Sequence, residues 1–205
     1  MIVFYLLDLE TNGILNQHEI TEFSAIRTSD LVQLTKQVCV SHPENSSLDA
    51  LKITGKTIDD LKTGISKSDL IDIVNEFFTT DSSSPESRCI VGHNISFDRR
   101  FLFRHWEGFG KKFPAHLWMD TLEIMRKLAK KRQLVKPKLS LQASCELLNI
   151  KTGNGWHSAK GDTRNCFFLW RELMKEFDHI DFIKNIPHRS QEEQKQEDDN
   201  QEYGL

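Results

Sequence analysis

Few features of this sequence point to a membrane-bound, secreted or disulfide-rich protein. No apolar run approaches the roughly 20 residues that cross a bilayer, and the apolar start lacks the basic leader of a signal peptide. Only four cysteines occur, far apart and without a Cys-x-x-Cys pair. We expect reduced core residues of an intracellular protein, with a structural disulfide as the alternative, at Cys39, Cys89, Cys145 and Cys166. We predict a cytoplasmic protein, or a nuclear one if the source is eukaryotic, with no membrane partner.

Charge is unevenly distributed along the chain, although the net charge is only −3. Residues 190–205 hold six acids, one lysine and few apolar side chains, a composition typical of disorder. With 38% hydrophobic residues, the rest can build a good core. We therefore predict one folded domain over residues 1–186 and an acidic, disordered tail over residues 187–205.

The stretch between residues 99 and 164 is much more basic, with only four acids before Asp162. Its cations include Lys111, Lys112, Arg126, Lys127, Lys130, Lys131, Arg132, Lys136, Lys138, Lys151 and Lys160. Such a stretch can hold phosphates. The alternative interpretation is a solvated helix face, which is what a run of charges usually is.

The hydrophobic pattern predicts strands first and alternating helices later. Strands are expected at residues 2–8, 19–28, 34–40, 88–91 and 117–119, and helices at 68–78, 96–106, 120–132, 140–148 and from Asp162 or Thr163 to 176. The polar segment over residues 41–63 is expected to be a loop. This order favours the α/β class, a mixed sheet with helices packed on it.

The first predicted strand leads directly into Asp8 and Glu10. Alternation along a strand places both carboxylates on one face and Leu9 on the other. A lone Asp-x-Glu is typical of solvated surface residues. Here, however, the pair ends a buried run at the point where the strand opens into a loop, which is a usual place for a site.

Two later segments each present a carboxylate in a similar way. Asn94 and Asp98 are four residues apart at the start of a predicted helix, so they can share a face. Alone, Asp98 could equally be an ordinary acid near a helix N-terminus. We predict that His157 lies in a glycine-flanked loop and that Asp162 opens the last helix. An imidazole can abstract a proton from water near neutral pH, but the chain has eight histidines, so a surface histidine without a role is the alternative.

Four carboxylates that converge would repel one another unless cations lay between them. Hard divalent cations such as Mg²⁺ prefer oxygen ligands of this kind. If the three segments meet in space, the sequence predicts a metal-dependent phosphodiester hydrolase.

Taken together, the three segments resemble the motifs of the DEDDh family of 3′–5′ exonucleases, which includes proofreading exonucleases, ribonuclease T and oligoribonuclease. They read Asp8-Leu9-Glu10-Thr11-Asn12-Gly13, Gly92-His93-Asn94-Ile95-Ser96-Phe97-Asp98 and His157-Ser158-Ala159-Lys160-Gly161-Asp162. A histidine in place of a tyrosine before the last acid is typical of this branch. The resemblance covers residues 2–176, and residues 93–102 are especially similar to the exonuclease X type.

The resemblance implies a ribonuclease H-like fold with a five-stranded mixed sheet flanked by helices. It implies two Mg²⁺ ions, replaceable by Mn²⁺, bound by Asp8, Glu10, Asp98 and Asp162, with His157 as the general base. It also implies substrate contacts from Leu9, Thr11 and Asn94. The expected products are nucleoside 5′-monophosphates released from single-stranded 3′ ends.

Several alternatives stay open at this point. DNA is favoured as substrate, while an RNA exonuclease of the oligoribonuclease or ribonuclease T type is the alternative. A non-catalytic module that binds nucleic acid or protein on the same fold is a further alternative. Family members are often homodimers, so a dimer is compatible with the resemblance. The acidic tail is either a docking peptide for a replication or DNA repair partner or a solubilising appendage.

Overall fold

The computed structural model describes residues 1–153 and 155–188, which form one sheet covered by helices. The strands are β1 (Val3–Thr11), β2 (Ile20–Arg27), β3 (Gln33–Gln37), β4 (Arg88–Gly92), β5 (Leu117–Asp120) and β6 (Lys184–Asn185). The α-helices are α1 (Leu48–Thr54), α2 (Lys67–Thr79), α3 (Ser96–Glu107), α4 (Thr121–Lys131), α5 (Leu141–Leu147) and α6 (Ala159–Leu173).

The strands form a single mixed sheet in the order β3-β2-β1-β4-β5-β6. β1 pairs antiparallel with β2 and parallel with β4, so it lies inside the sheet. The predicted α/β class is confirmed, but the predicted count of five strands is wrong, because β6 adds a sixth. β6 is only two residues long and pairs with Leu117 and Trp118 at the start of β5. A segment this short carries no periodic pattern that a sequence could reveal.

Alternate side chains of β1 enter two separate cores. Tyr5 and Leu7 pack on one side of the sheet with residues of α2 and α3. Leu6 packs on the other side with residues of α4, α5 and α6. Full burial of each such side chain contributes about 1.5–3 kcal/mol. β1 is therefore held from both sides, and its last residues emerge where the two cores meet the surface.

The last helix begins earlier than the sequence predicted. α6 starts at Ala159, because the Ser158 Oγ caps it by accepting the Gly161 N–H at 3.2 Å. The start was predicted at Asp162 or Thr163. The serine cap has an ordinary sequence signal, but a glycine in the first turn obscured it. Asp162 consequently lies inside the first turn of a fixed helix.

The segment over residues 41–63, predicted to be a loop, contains α1. This short helix has no buried residue, so it shows no apolar periodicity. It ends at Gly55, which adopts a left-handed φ of 68° that favours glycine.

The described chain ends in a packed segment. His188 is buried, and its Nδ1 accepts the Phe113 N–H at 2.9 Å while its ring stacks on Phe103. The rest of the predicted acidic tail, residues 189–205, lies outside the described residues.

The thiols and the membrane prediction can also be compared with the structure. All four cysteines are free thiols; three are buried, and Cys39 is half-buried. Among the helices in the described part of the chain, none combines the length and apolar character needed to cross a membrane.

Candidate active site

Asp8 and Glu10 lie at the carboxyl end of β1, on the sheet face that α6 covers. Asp8 and Glu10 point to the same side of the sheet as Leu6, which packs against α6. Leu9 points to the other side and packs in the core there. Glu10 stands directly opposite Glu22 in the pairing of β1 with β2. The alternation that the sequence predicted thus holds to the end of the strand.

Asp162 reaches the same point from the first turn of α6. Asp8, Glu10 and Asp162 each contribute one carboxylate oxygen to a group of three atoms that all lie within 4.8 Å of one another. The Asp162 Oδ2 accepts the backbone N–H of His157 at 3.1 Å. Its Oδ1 is buried and has no hydrogen-bond partner among the described residues. Such an orphaned acceptor costs free energy unless a ligand satisfies it.

Asp98 approaches from the opposite side of the sheet, on α3. It is only 5% exposed, and its Oδ1 accepts the Leu9 N–H at 3.0 Å. Asp98 is therefore fixed against the backbone between Asp8 and Glu10, although it is not one of the three acids with the closest oxygens. All four predicted carboxylates consequently meet around the end of β1.

Burial raises the pKa of every acid in this group. Burial and the charges of Asp98 and Asp162 raise the pKa of Asp8 well above its usual range. Burial, followed by the charge of Asp162, raises the pKa of Glu10 to about 7. Burial raises the pKa of Asp98 to about 8, and burial also raises that of Asp162. Without cations, the cluster resists ionisation near neutral pH because desolvation and mutual repulsion act together.

These residues fit a divalent cation. They are hard oxygen donors, three of them are close enough to share one ion, and one buried oxygen lacks a partner. A bound cation would satisfy that oxygen and offset the repulsion among the carboxylates.

We expect the metal-free protein to lose thermal stability as pH rises from about 5 to about 9. The folded state keeps protons on Glu10 and Asp98 that the unfolded state releases above a pKa near 4. The stability linked to these protons is complete at low pH and is lost as pH rises through about 7 for Glu10 and about 8 for Asp98. Calorimetry in EDTA across this pH range measures the effect.

Adding Mg²⁺ to about 10 mM should then raise the Tm, and most strongly at the alkaline end, because the cation competes with the protons. An Asp8→Asn variant serves as the control and should show a smaller pH dependence and a smaller Mg²⁺ shift. If Mg²⁺ left the Tm unchanged at high pH, or raised the Tm more at low pH than at high pH, the assignment of a cation site would be contradicted.

A cleft of about 240 Å³ opens beside the acids and is named here the His157 cleft. It is lined by Asp8, His93, Ser140, Leu141, Gln142, Trp156, His157 and Asp162. His157 is exposed and has a left-handed φ of 62°, so its position in a loop ahead of α6 agrees with the prediction. This non-glycine strain is held in place by the bond from its N–H to Asp162.

His93 braces the far wall of the His157 cleft. Its Nδ1 lies 2.9 Å from the Thr121 hydroxyl and its Nε2 lies 2.7 Å from the Leu139 carbonyl oxygen. Burial lowers the pKa of His93. The ring therefore ties the end of β4 to the segment that leads into α5, and α5 in turn presents Leu141 and Gln142 to the cleft.

A second cleft, of about 230 Å³, lies on the other side of the acids and is named here the Leu9 cleft. Its apolar lining is Leu9, Ile14, Ala50, Ile53 and Phe97, and the rest is Glu10, Thr11, Gly13, Ser47, Asp49 and Thr54. The Thr11 hydroxyl donates to the Gly13 carbonyl oxygen, so it stabilises the loop after β1. α1 supplies much of the wall, which sequence reasoning missed.

Asn94, the third predicted substrate contact, is exposed and is not among the described residues that line either cleft. Its backbone has a φ of 65°, and its N–H donates to the Asp120 Oδ1 at 2.8 Å.

Two charged residues near the cluster were also missed. Glu22 faces Glu10 and forms an ion pair with Lys56, whose Nζ is 3.3 Å from the Glu22 Oε2. Both side chains are mostly buried, and Lys56 partly offsets the raised pKa of Glu10. The strand register could have indicated Glu22, whereas nothing local marks Lys56.

A protein-family model and several solved structures match this chain. The RNase_T family model, described as Exonuclease, matches residues 5–169. No curated protein sequence matches the chain.

Solved nuclease structures share the fold. The nuclease domain of 3′hExo, a DEDDh family member bound to rAMP, has 15% identity and a TM-score of 0.71 and covers 90% of this chain and 96% of that one. Exonuclease I of E. coli in complex with a dA16 oligonucleotide has 19% identity and a TM-score of 0.70, and the match covers 86% of this chain and 41% of that one. Exonuclease X in complex with 5′ overhanging duplex DNA has 22% identity and a TM-score of 0.61, and the match covers 84% of this chain and 92% of that one.

The chain thus spans less than half of Exonuclease I but nearly all of the 3′hExo nuclease domain. These likenesses confirm the predicted ribonuclease H-like fold. Since the family model covers most of the chain, the protein belongs to the exonuclease family that this model describes.

Proposed function

We propose that the protein is a divalent-metal-dependent 3′–5′ exonuclease that releases nucleoside 5′-monophosphates from single-stranded nucleic acid, with DNA favoured over RNA. The observation that carries this proposal is the group of three carboxylate oxygens within 4.8 Å, flanked by one cleft on each side. An apolar cleft, an acidic centre and a histidine-lined cleft together suit a terminal nucleotide, its phosphodiester and the attacking water.

Four carboxylates, Asp8, Glu10, Asp98 and Asp162, would hold Mg²⁺ or Mn²⁺. Two bound cations would supply Lewis acidity to the attacking water and to the leaving 3′ oxygen. Because Asp98 is anchored to the Leu9 backbone and Asp162 to a capped helix, the protein keeps these ligands in place before substrate binds.

His157 would act as the general base. Its side chain lines the same cleft as Asp8 and Asp162, so an incoming water can lie next to both the imidazole and the acids. The water oxygen forms a bond to the terminal phosphorus, the bond from phosphorus to the 3′ oxygen of the preceding nucleotide breaks, and that leaving oxygen takes up a proton from solvent to become the new 3′-OH. His157 takes the proton of the water and, being exposed, can release it to solvent.

The Leu9 cleft would hold the terminal nucleoside. Phe97, Ile14 and Ile53 offer apolar surface on which any base can stack, which suits hydrolysis without sequence preference. Leu9 lines the same cleft with only 5% of its surface exposed. Glu10 lines the same cleft and can accept a hydrogen bond from a free 3′-OH. The Thr11 hydroxyl is already donating to Gly13, so we assign it the role of fixing the loop.

DNA is favoured because two of the similar structures contain DNA: Exonuclease I is bound to a deoxyoligonucleotide and Exonuclease X to a DNA duplex with a 5′ overhang. RNA is the second candidate. The neighbour 3′hExo is bound to rAMP, and the Leu9 cleft contains Ser47 and Asp49, which could contact a 2′-OH.

We expect a 5′-labelled single-stranded oligonucleotide to shorten from its 3′ end into a ladder when Mg²⁺ or Mn²⁺ is present. Matched DNA and RNA strands, digested side by side, decide the substrate, and chromatography of the products should give nucleoside 5′-monophosphates. EDTA should stop the reaction.

Failure to form a ladder with either cation would refute the proposed activity. Tight oligonucleotide binding without hydrolysis would instead support a non-catalytic module on this fold. Faster digestion of RNA than of DNA would reverse the substrate preference but leave the reaction intact.

A further inference from the structure

The basic stretch that the sequence revealed is divided by the fold into two unlike surfaces. Three cations, on α4 and directly after it, pair with acids near the end of the described chain. Lys127 lies 3.7 Å from Asp181, and Lys131 and Arg132 both pair with Glu176. This surface therefore matches the solvated, salt-bridged helix face that was the alternative interpretation.

The outer face of α6 is different. Lys160, Arg164, Phe168 and Arg171 follow one another at helical spacing, so they form one stripe. Lys151 lies beside this stripe. Within residues 1–153 and 155–188, no acid forms an ion pair with any of these four cations.

Two adjoining clefts run along this stripe and share Phe168, and together they are named here the α6 groove. The first, of about 540 Å³, is lined by Lys160 and Arg164, and the second, of about 330 Å³, by Lys151 and Arg171. Glu172 also lines the second cleft, but the Lys175 Nζ already bonds both of its carboxylate oxygens at 2.7 Å.

Phe168 is exposed in the middle of the groove. Its side chain is 39% exposed, although a large aromatic side chain gains free energy from burial. Arg164 lines the same cleft as Phe168, and its Nε donates to the Gln33 Oε1 at 2.7 Å. An exposed aromatic ring among unpaired cations is the combination that binds single strands, since bases stack on the ring and phosphates pair with the cations.

The Lys160 end of the groove lies beside Glu22, which neighbours the acidic cluster. The Lys160 N–H lies 3.4 Å from the Glu22 Oε1, and Glu22 faces Glu10. From Lys160 to Arg171 the helix extends about 16 Å at 1.5 Å per residue. That length accommodates roughly three to five nucleotides at 3.4 Å or more each.

We propose that the α6 groove binds the segment of the substrate strand that lies 5′ of the cleaved nucleotide. Phosphates pair with Lys160, Arg164, Arg171 and Lys151, and a base stacks on Phe168. This inference rests on the proposed function, because it assigns the groove to the same strand. It makes activity dependent on substrate length, since a strand of two or three nucleotides ends before Phe168.

Binding measured without metal tests the groove separately from catalysis. Fluorescence anisotropy in EDTA gives the Kd of a labelled strand of about 12 nucleotides and its salt dependence. The variants are Phe168→Ala and the double variant Arg164→Gln/Arg171→Gln. The matched controls are Phe109→Ala, at another exposed phenylalanine, and the double variant Lys127→Gln/Lys131→Gln, at two ion-paired lysines of α4.

We expect the double variant to weaken binding about tenfold or more and to lower the slope of log K against log salt by about 1.4, or about 0.7 for each lost phosphate contact. Phe168→Ala should weaken binding at least about fivefold with the slope unchanged. With Mg²⁺, both variants should lower the ratio of kcat/KM for the long strand to that for a strand of about three nucleotides, by about the factor lost in binding.

Equal Kd values and equal slopes for the groove variants and their controls would overturn the proposed groove, whether or not the wild type hydrolyses DNA. Equal losses on the long and the short strand would also overturn it. If the wild type shows no hydrolysis, the proposed function fails, while the anisotropy series still decides whether the groove binds nucleic acid.

Discussion

Replacing Asp8 by asparagine is expected to lower kcat by at least about 1,000-fold, because cation catalysis is worth several kcal/mol and each 1.36 kcal/mol is a tenfold change in rate. Asp8 is half-buried beside Glu10 and Asp162, and one of its carboxylate oxygens belongs to the cluster of oxygens within 4.8 Å. Asparagine keeps the shape of the side chain but removes one negative charge and one anionic donor. Single-turnover cleavage of a labelled strand at saturating Mg²⁺ measures the effect.

The fold itself should survive this change. Since burial and like charges raise the pKa of Asp8, a neutral side chain at this position removes repulsion at alkaline pH. We expect the metal-free Tm of the variant to equal or exceed that of the wild type there. Asp69→Asn, an exposed acid in the first turn of α2, is the matched control and should keep full activity. An Asp8→Asn variant with more than about a tenth of the wild-type rate would be inconsistent with cation ligation, which predicts a far larger loss.

Replacing His157 by alanine should lower kcat by about 100- to 10,000-fold, the usual contribution of a general base. The Mg²⁺-induced rise in Tm should persist, because the contact of His157 with Asp162 is made by the backbone N–H, which alanine retains. This separation of turnover from cation binding distinguishes proton transfer from ligation. Rates and Tm shifts measured on the same preparation provide both numbers.

His42→Ala is the matched control, since His42 is an exposed histidine remote in sequence from the three motifs. It should leave both rate and Tm shift unchanged. A parallel loss of the Mg²⁺ shift and the rate in His157→Ala would mean that the side chain maintains the site's structure. Unchanged turnover would exclude the base role altogether.

Local patterns predicted the parts of the site that lie on regular elements. Alternation placed Asp8 and Glu10 together on one strand face, and both stand on the α6 face of the sheet. The helix predicted from residue 96 presents Asp98 in its first turn. Their roles as ligands remain predictions until activity and cation binding are measured.

The remainder depended on contacts between distant residues or on very short elements. β6 is two residues long, and α1 buries none of its residues, so neither produces a periodic signal. The brace from His93 to Leu139 spans 46 positions. The α6 groove was hidden for a different reason, because the sequence shows where cations occur but not which of them acids neutralise. Ion pairs with Asp181 and Glu176 distinguish the cations at Lys127, Lys131 and Arg132 from those of α6.

Anomalous diffraction from crystals containing Mn²⁺ would show whether cations bind between Asp8, Glu10 and Asp162. We expect an anomalous peak within about 2.0–2.3 Å of carboxylate oxygens from these three residues, including the Asp162 Oδ1, which has no hydrogen-bond partner among the described residues. Crystals at pH about 8 that show Mn²⁺ only at other positions, with the three carboxylates unligated, would contradict this expectation.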